Sequence, residues 1–130
     1  MKPQTGIVRL KQFQLRERHR QLTQLETMTS EFERMAANLE AQIAAEEAKA
    51  GITDTSNVAY PTFALAARGR RDNLLASISN LHAQTEDAEH KLQQAQAELE
   101  HAQALEKRDG GQNTAKDESI VFIQRRAIIG

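Results

Sequence analysis

Apolar residues recur along the first part of the chain at alternating spacings of three and four. Leu15, Leu22, Leu25, Phe32, Leu39 and Ile43 hold the register, and Arg18, Thr29 and Ala36 fill the intervening positions. This is the a/d stripe of a heptad repeat, with Met28 and Met35 on g positions packing beside it. The stretch from about 8 to 50 contains neither Pro nor Gly and is rich in Ala, Leu, Glu, Gln, Arg and Met. These are strong helix formers, so one long helix is predicted there. At 1.5 Å per residue it would run about 60 Å. Lys49 and Gly51 supply a C-terminal stop.

A second stripe is more regular. Leu74, Ile78, Leu81, Thr85, Ala88, Leu92, Ala95, Leu99 and Ala102 keep the four-three spacing without a slip, Leu74 at d and Ile78 at a. It predicts a helix over about 62–108, opened by Pro61 or Thr62 and closed before Gly110-Gly111. Gly69 falls inside it, costs about 1 kcal/mol relative to Ala, and predicts a local weakness or bend. Residues 51–61 between the helices are rich in turn and capping types. So short a connection folds the chain back on itself. The expected fold class is all-α, a long antiparallel two-helix coiled-coil hairpin over residues 1–109. Residues 110–130 are expected to form a flexible tail, polar from Gln112 to Glu118 and abruptly apolar at 120–123 and 127–129 around Arg125 and Arg126.

Composition narrows the function classes. The chain has 130 residues, 39% hydrophobic, only 4% aromatic, and no Cys. Mean hydropathy is -0.63. The core is therefore small, and disulfides, thiolate nucleophiles and cysteine metal sites are excluded. No run approaches the roughly 18 apolar residues of a membrane span. The start, Met1 to Gly6, leads into no apolar segment, so no secretory signal is expected and a cytoplasmic location is the default. P-loop, G-x-S-x-G and H-E-x-x-H motifs are absent from the sequence, and a two-helix hairpin offers no pocket that excludes water. Neither an enzyme nor a cofactor or small-molecule substrate is expected. His82, Glu86 and His90 share a helix face at a spacing that can bind a cation, but e, b and f positions read more simply as solvated surface.

The net charge of -1 conceals segregation. Residues 1–20 carry six basic groups against Glu17, a balance of +5, and residues 21–50 balance at -4. Residues 51–72 balance at +1, residues 73–106 at -5 and residues 107–130 at +2. Folded back near residue 56, the basic segment lies opposite Glu98 and Glu100, and Arg68, Arg70 and Arg71 lie close to Glu40, Glu46 and Glu47. Such pairs set register and direction more than stability. The basic blocks are interrupted, so no continuous nucleic-acid groove is expected. Tyr60 and Phe63 are two of five aromatics and sit at the turn. They either cap the coil or, with the following arginines, present a patch to another protein.

Several stretches resemble the flagellar export protein FliJ family, most closely its alphaproteobacterial branch. They are Arg9-Leu10-Lys11-Gln12-Phe13-Gln14, Phe32-Glu33-Arg34-Met35-Ala36, Ala41 to Glu47, and Tyr60-Pro61-Thr62-Phe63-Ala64 through Arg70-Arg71-Asp72-Asn73-Leu74-Leu75-Ala76-Ser77-Ile78. The similarity covers about residues 7–109. It implies a component of the flagellar type III export apparatus, cytoplasmic and peripherally associated with the inner membrane. Family members look like the stalk of rotary ATPases. They engage the export ATPase hexamer and the export gate membrane protein, and they assist flagellar substrate chaperones. By resemblance, the gate contact falls at the start of helix two, on Tyr60, Phe63, Ala67, Arg70 and Leu74. The ring contact falls at the open end, on Arg9, Lys11, Arg16, Arg18 and Arg20.

Two other readings remain open. A prefoldin-like chaperone subunit needs strands for assembly, and the connector is short and polar for that. A generic coiled-coil adaptor needs only the hairpin. A bZIP-like DNA binder is disfavoured by the fold-back at Pro61.

Overall fold

The structure, a computed structural model, describes residues 3–120, with side-chain surroundings over 6–110. It is a two-helix hairpin, α1 (Pro3–Ala50) and α2 (Thr62–Ile120), and the described residues contain no strand. Two compact units divide it. Among the described residues, one joins residues 3–20 to 90–120, and the other comprises residues 21–89.

In the 21–89 unit the seam follows the heptads. Thr29, Ala36 and Ile43 are buried on α1, and Leu22, Leu25, Phe32 and Leu39 are half-buried. Facing them, Ala64, Ala67, Ile78, Leu81 and Ala88 are buried on α2. Ala64 and Ala67 are both 0% exposed, so the seam is tightest and most alanine-rich beside the turn. Burial of apolar surface is the main driving force, at about 25 cal/mol per Å². The one buried polar residue among those described, Thr29, donates its hydroxyl to the Leu25 carbonyl at 2.7 Å. That intrahelical bond removes the penalty of placing a hydroxyl in the seam. Met28 and Met35 are 44% and 45% exposed, flanking the seam rather than filling it.

In the other unit Val8, Leu99 and Ala102 form a small buried cluster with Leu15 packed against it. Ala95 is buried as well. The seam thus begins one heptad before Leu15. Among the described residues no large side chain is fully buried in either unit.

The turn explains the fold-back. Gly51 adopts φ 69°, the left-handed conformation that ends a helix without a Cβ clash. Its N–H and that of Ile52 both donate to the Glu47 carbonyl, at 2.8 and 3.3 Å. Asp54 then accepts from the Ser56 N–H at 2.9 Å and hydroxyl at 2.7 Å, and Asn57 accepts from the Ala59 N–H at 2.8 Å. These side chains mimic backbone turns, which is why Asp and Asn stand there. Pro61 caps α2, its carbonyl accepting from the Leu65 N–H at 3.0 Å.

Two boundaries and the expectation at Gly69 differ from the sequence reading. α1 begins at Pro3 rather than near residue 8. Proline costs nothing in a first turn, where its missing N–H has no partner to lose. α2 continues to Ile120 instead of stopping near Arg108. A glycine ends a helix only by adopting a left-handed cap, and among the described glycines only Gly51 does so. Part of the expected flexible tail is therefore helix, and residues 121–130 lie outside the described residues. Gly69 leaves α2 unbroken, and a Cβ there would meet nothing within 4 Å. Gly69→Ala should therefore raise stability by about 1 kcal/mol, measured by chemical denaturation.

Candidate functional site

The turn-proximal part of the 21–89 unit holds a polar cluster built on Glu47. Tyr60 is 7% exposed, and its hydroxyl donates to the Glu47 carboxylate at 2.6 Å. Arg68 Nη2 donates to the same oxygen at 2.6 Å, and Arg68 Nε donates to the Tyr60 hydroxyl at 2.8 Å. The guanidinium also lies 5.8 Å from the Tyr60 ring centre, within cation–π range. Glu47 and Arg68 occupy facing e positions, and Tyr60 lies in the turn before α2. One residue therefore does two jobs: the Glu47 carbonyl caps α1, and its carboxylate ties α1 to α2.

The hydrogen bonds from Tyr60, and next those from Arg68, hold the Glu47 carboxyl below its ordinary range. The Arg68 guanidinium is pushed up in return, chiefly by Glu47. A depressed carboxyl contributes stability at pH above its unfolded value and loses it as pH falls through the folded value. Asp54, held down by its bonds from Ser56, and Glu17, held down by Arg20, carry the same sign. Stability should therefore drop on acidification below about pH 4. In Glu47→Gln the acid-induced drop in melting temperature should be smaller than in the parent, measured by circular dichroism. An equal drop would remove Glu47 as a contributor.

The five residues expected at the gate contact separate. Tyr60 and Ala67 are buried, at 7% and 0% exposure, and face α1 rather than solvent. Ala67 stands at d, which turns it toward α1, and the turn before Pro61 lays Tyr60 across onto Glu47. Phe63, at g, is 49% exposed, and Arg70, seven residues on, is exposed. Leu74 is half-buried. Arg70 and Leu74 line a groove of about 460 Å³ with Met35, Asn38, Leu39, Gln42 and Asn73. Thus Phe63, Arg70 and Leu74 share an accessible flank, and Tyr60 caps the seam beneath it.

The five residues expected at the ring contact also separate. Lys11 stands at d and bonds Glu98 at 3.0 Å across the seam. Arg18, also at d, is half-buried and already engaged. Arg20 pairs with Glu17 one turn before it. Arg9 and Arg16, both at b, are exposed on one outward column. The expected five-residue basic patch is therefore an outward set of Arg9, Arg16 and Arg20 plus two seam residues.

The unit containing that column holds a second feature, which the motifs did not reveal. Ile7, Leu10 and Phe13 are each about half exposed at the start of α1. Ile7 opens onto a groove of about 620 Å³ that also meets Lys11, His101, Leu105 and Arg108. Only its hydrophobic g and c positions, Ile7 and Leu10, would have signalled it in sequence.

His82 lies 3.8 Å from Glu33 across the seam, both exposed. Among the described residues no group of three or more His, Asp or Glu could hold a metal ion. Nor is any helix there long and apolar enough to cross a membrane. In comparisons with known proteins, no family model, curated protein or solved structure matches this chain.

Proposed function

We propose that the chain is a component of a flagellar type III export apparatus. It acts as a coiled-coil stalk that engages the export ATPase ring and the export gate and helps chaperones deliver their substrates. The observation that carries this reading is the start of α2. There Phe63 and Arg70 stand exposed on one flank, on the stretch whose sequence resembles the FliJ family. The gate contact is assigned to Phe63, Arg70 and Leu74. The ring contact is assigned to Arg9, Arg16 and Arg20, where exposed cations can steer docking onto acidic subunits. The protein then works in the cytoplasm, peripherally at the inner membrane.

Co-purification with the hexameric export ATPase tests this directly. Parent protein should be retained and should stimulate hydrolysis. Arg9→Glu/Arg16→Glu/Arg20→Glu should lose most of the stimulation while keeping its helicity. Unchanged stimulation sinks the ring assignment, and no retention of the parent leaves the generic adaptor as the better account. The prefoldin-like reading is weakened by the connector, whose described residues form hydrogen-bonded turns and no strand.

A further inference from the structure

The 21–89 unit has two unlike flanks. On one, Glu26, Glu33, Glu40 and Glu47 recur every seven residues along α1 at e. Arg68 and His82 answer two of them from α2. The other flank is nearly uncharged. Its g and c positions, over 28–42 of α1 and 63–84 of α2, carry only Glu31 and Arg70 as charges. Neither takes part in an ion pair among the described residues. Met28, Met35 and Phe63 are exposed on this flank, at 44%, 45% and 49%. Depletion of charge with exposed Met and aromatic side chains marks the centre of an interface.

We propose that this flank pairs with the same flank of a second copy about a two-fold axis. The two charges argue for that occupant. Arg70 lines the groove beside Gln42, whereas Glu31 sits one turn before Met35 on α1. The two are therefore separated along the helix axes by about 18 Å. An axis placed midway between them and perpendicular to the line that joins them, hence tilted to the helices, exchanges them, so Arg70 of each copy meets Glu31 of the other. The same operation carries Met35 onto the seam near the level of Leu39. Leu39 and Leu74 are the half-buried seam residues that floor the 460 Å³ groove. One rotation thus makes two ion pairs and seats two methionines, as an isologous contact requires. Methionine suits the role because it adapts to a shallow groove. A patch this size buries on the order of 1,000 Å² in total, the low end for specific interfaces. The dimer is therefore weak, with Kd on the order of tens of micromolar.

This inference needs only the geometry of the 21–89 unit, and the dimer and the gate contact would compete for the same flank. Sedimentation equilibrium of the full chain from about 5 to 500 μM tests it, a range chosen around that Kd. The average mass should climb from 14.6 kDa toward twice that value. Glu31→Arg alone and Arg70→Glu alone should each weaken association about tenfold or more, because like charges then face each other twice. An equimolar mixture of the two single variants should associate at least as well as the parent, since both pairs re-form between unlike copies. Met35→Ser should weaken the parent dimer as well. Circular dichroism checks that each variant keeps its helicity. A monomer at every concentration overturns the proposal. So does a dimer that the single reversals leave unchanged, which would place the contact on another face.

Discussion

Ala67→Glu should abolish cooperative folding. Ala67 is 0% exposed at a d position, so a longer side chain has no room without pushing the helices apart. Overpacking of that kind costs about 1–3 kcal/mol. The carboxylate adds a desolvation cost of several kcal/mol. Domains are stable by only about 5–15 kcal/mol, and a hairpin with no fully buried large side chain among its described residues belongs at the bottom of that range. Loss of the helical signal at 25 °C is the expected result, read by circular dichroism. Ala67→Ser, nearly the same size, should stay folded. A well-folded Ala67→Glu would mean that the seam is open at this point.

Phe63→Ala with Arg70→Glu should do the opposite. Both side chains face outward, so helicity and melting temperature should stay close to the parent. Partner contacts should fail, because exposed aromatic and arginine side chains are the types that dominate interface energetics. In a deletion strain the double variant should fail to restore swimming, and it should not co-purify with the gate protein. Swimming at parental speed would remove the flank from the export reading. The pair of experiments also separates a defect in folding from a defect in binding, which a change at Ala67 alone would confuse.

The heptad pattern carried most of the architecture. Each residue assigned to a seam position from Leu15 to Ile43 and from Leu74 to Ala102 is buried or half-buried. That follows because a two-stranded seam is a local periodic property. The Lys11–Glu98 and Arg68–Glu47 pairs were likewise legible, since fold-back register alone brings those blocks together. The bond from Tyr60 to Glu47 was not. It depends on where the turn delivers one hydroxyl, and spacing does not encode that. The d register of Ala67 turns it inward and is readable in the heptads, whereas Tyr60 lies in the turn before α2, where no helical register applies. Charge alone does not say which face Arg18 and Lys11 occupy, whereas their d register places both at the seam. The end of α2 is not legible from Gly110-Gly111 on composition, because a stop requires a left-handed backbone conformation.

The Glu47 cluster also bears on how the chain acquires its structure. Its cross-helix bonds span 13 and 21 residues, whereas Lys11 and Glu98 are 87 residues apart. Closing a short loop costs less entropy, and local contacts form faster. Folding should therefore nucleate at Gly51 to Arg68 and zip toward the termini, so that Lys11 and Glu98 join last and fray first.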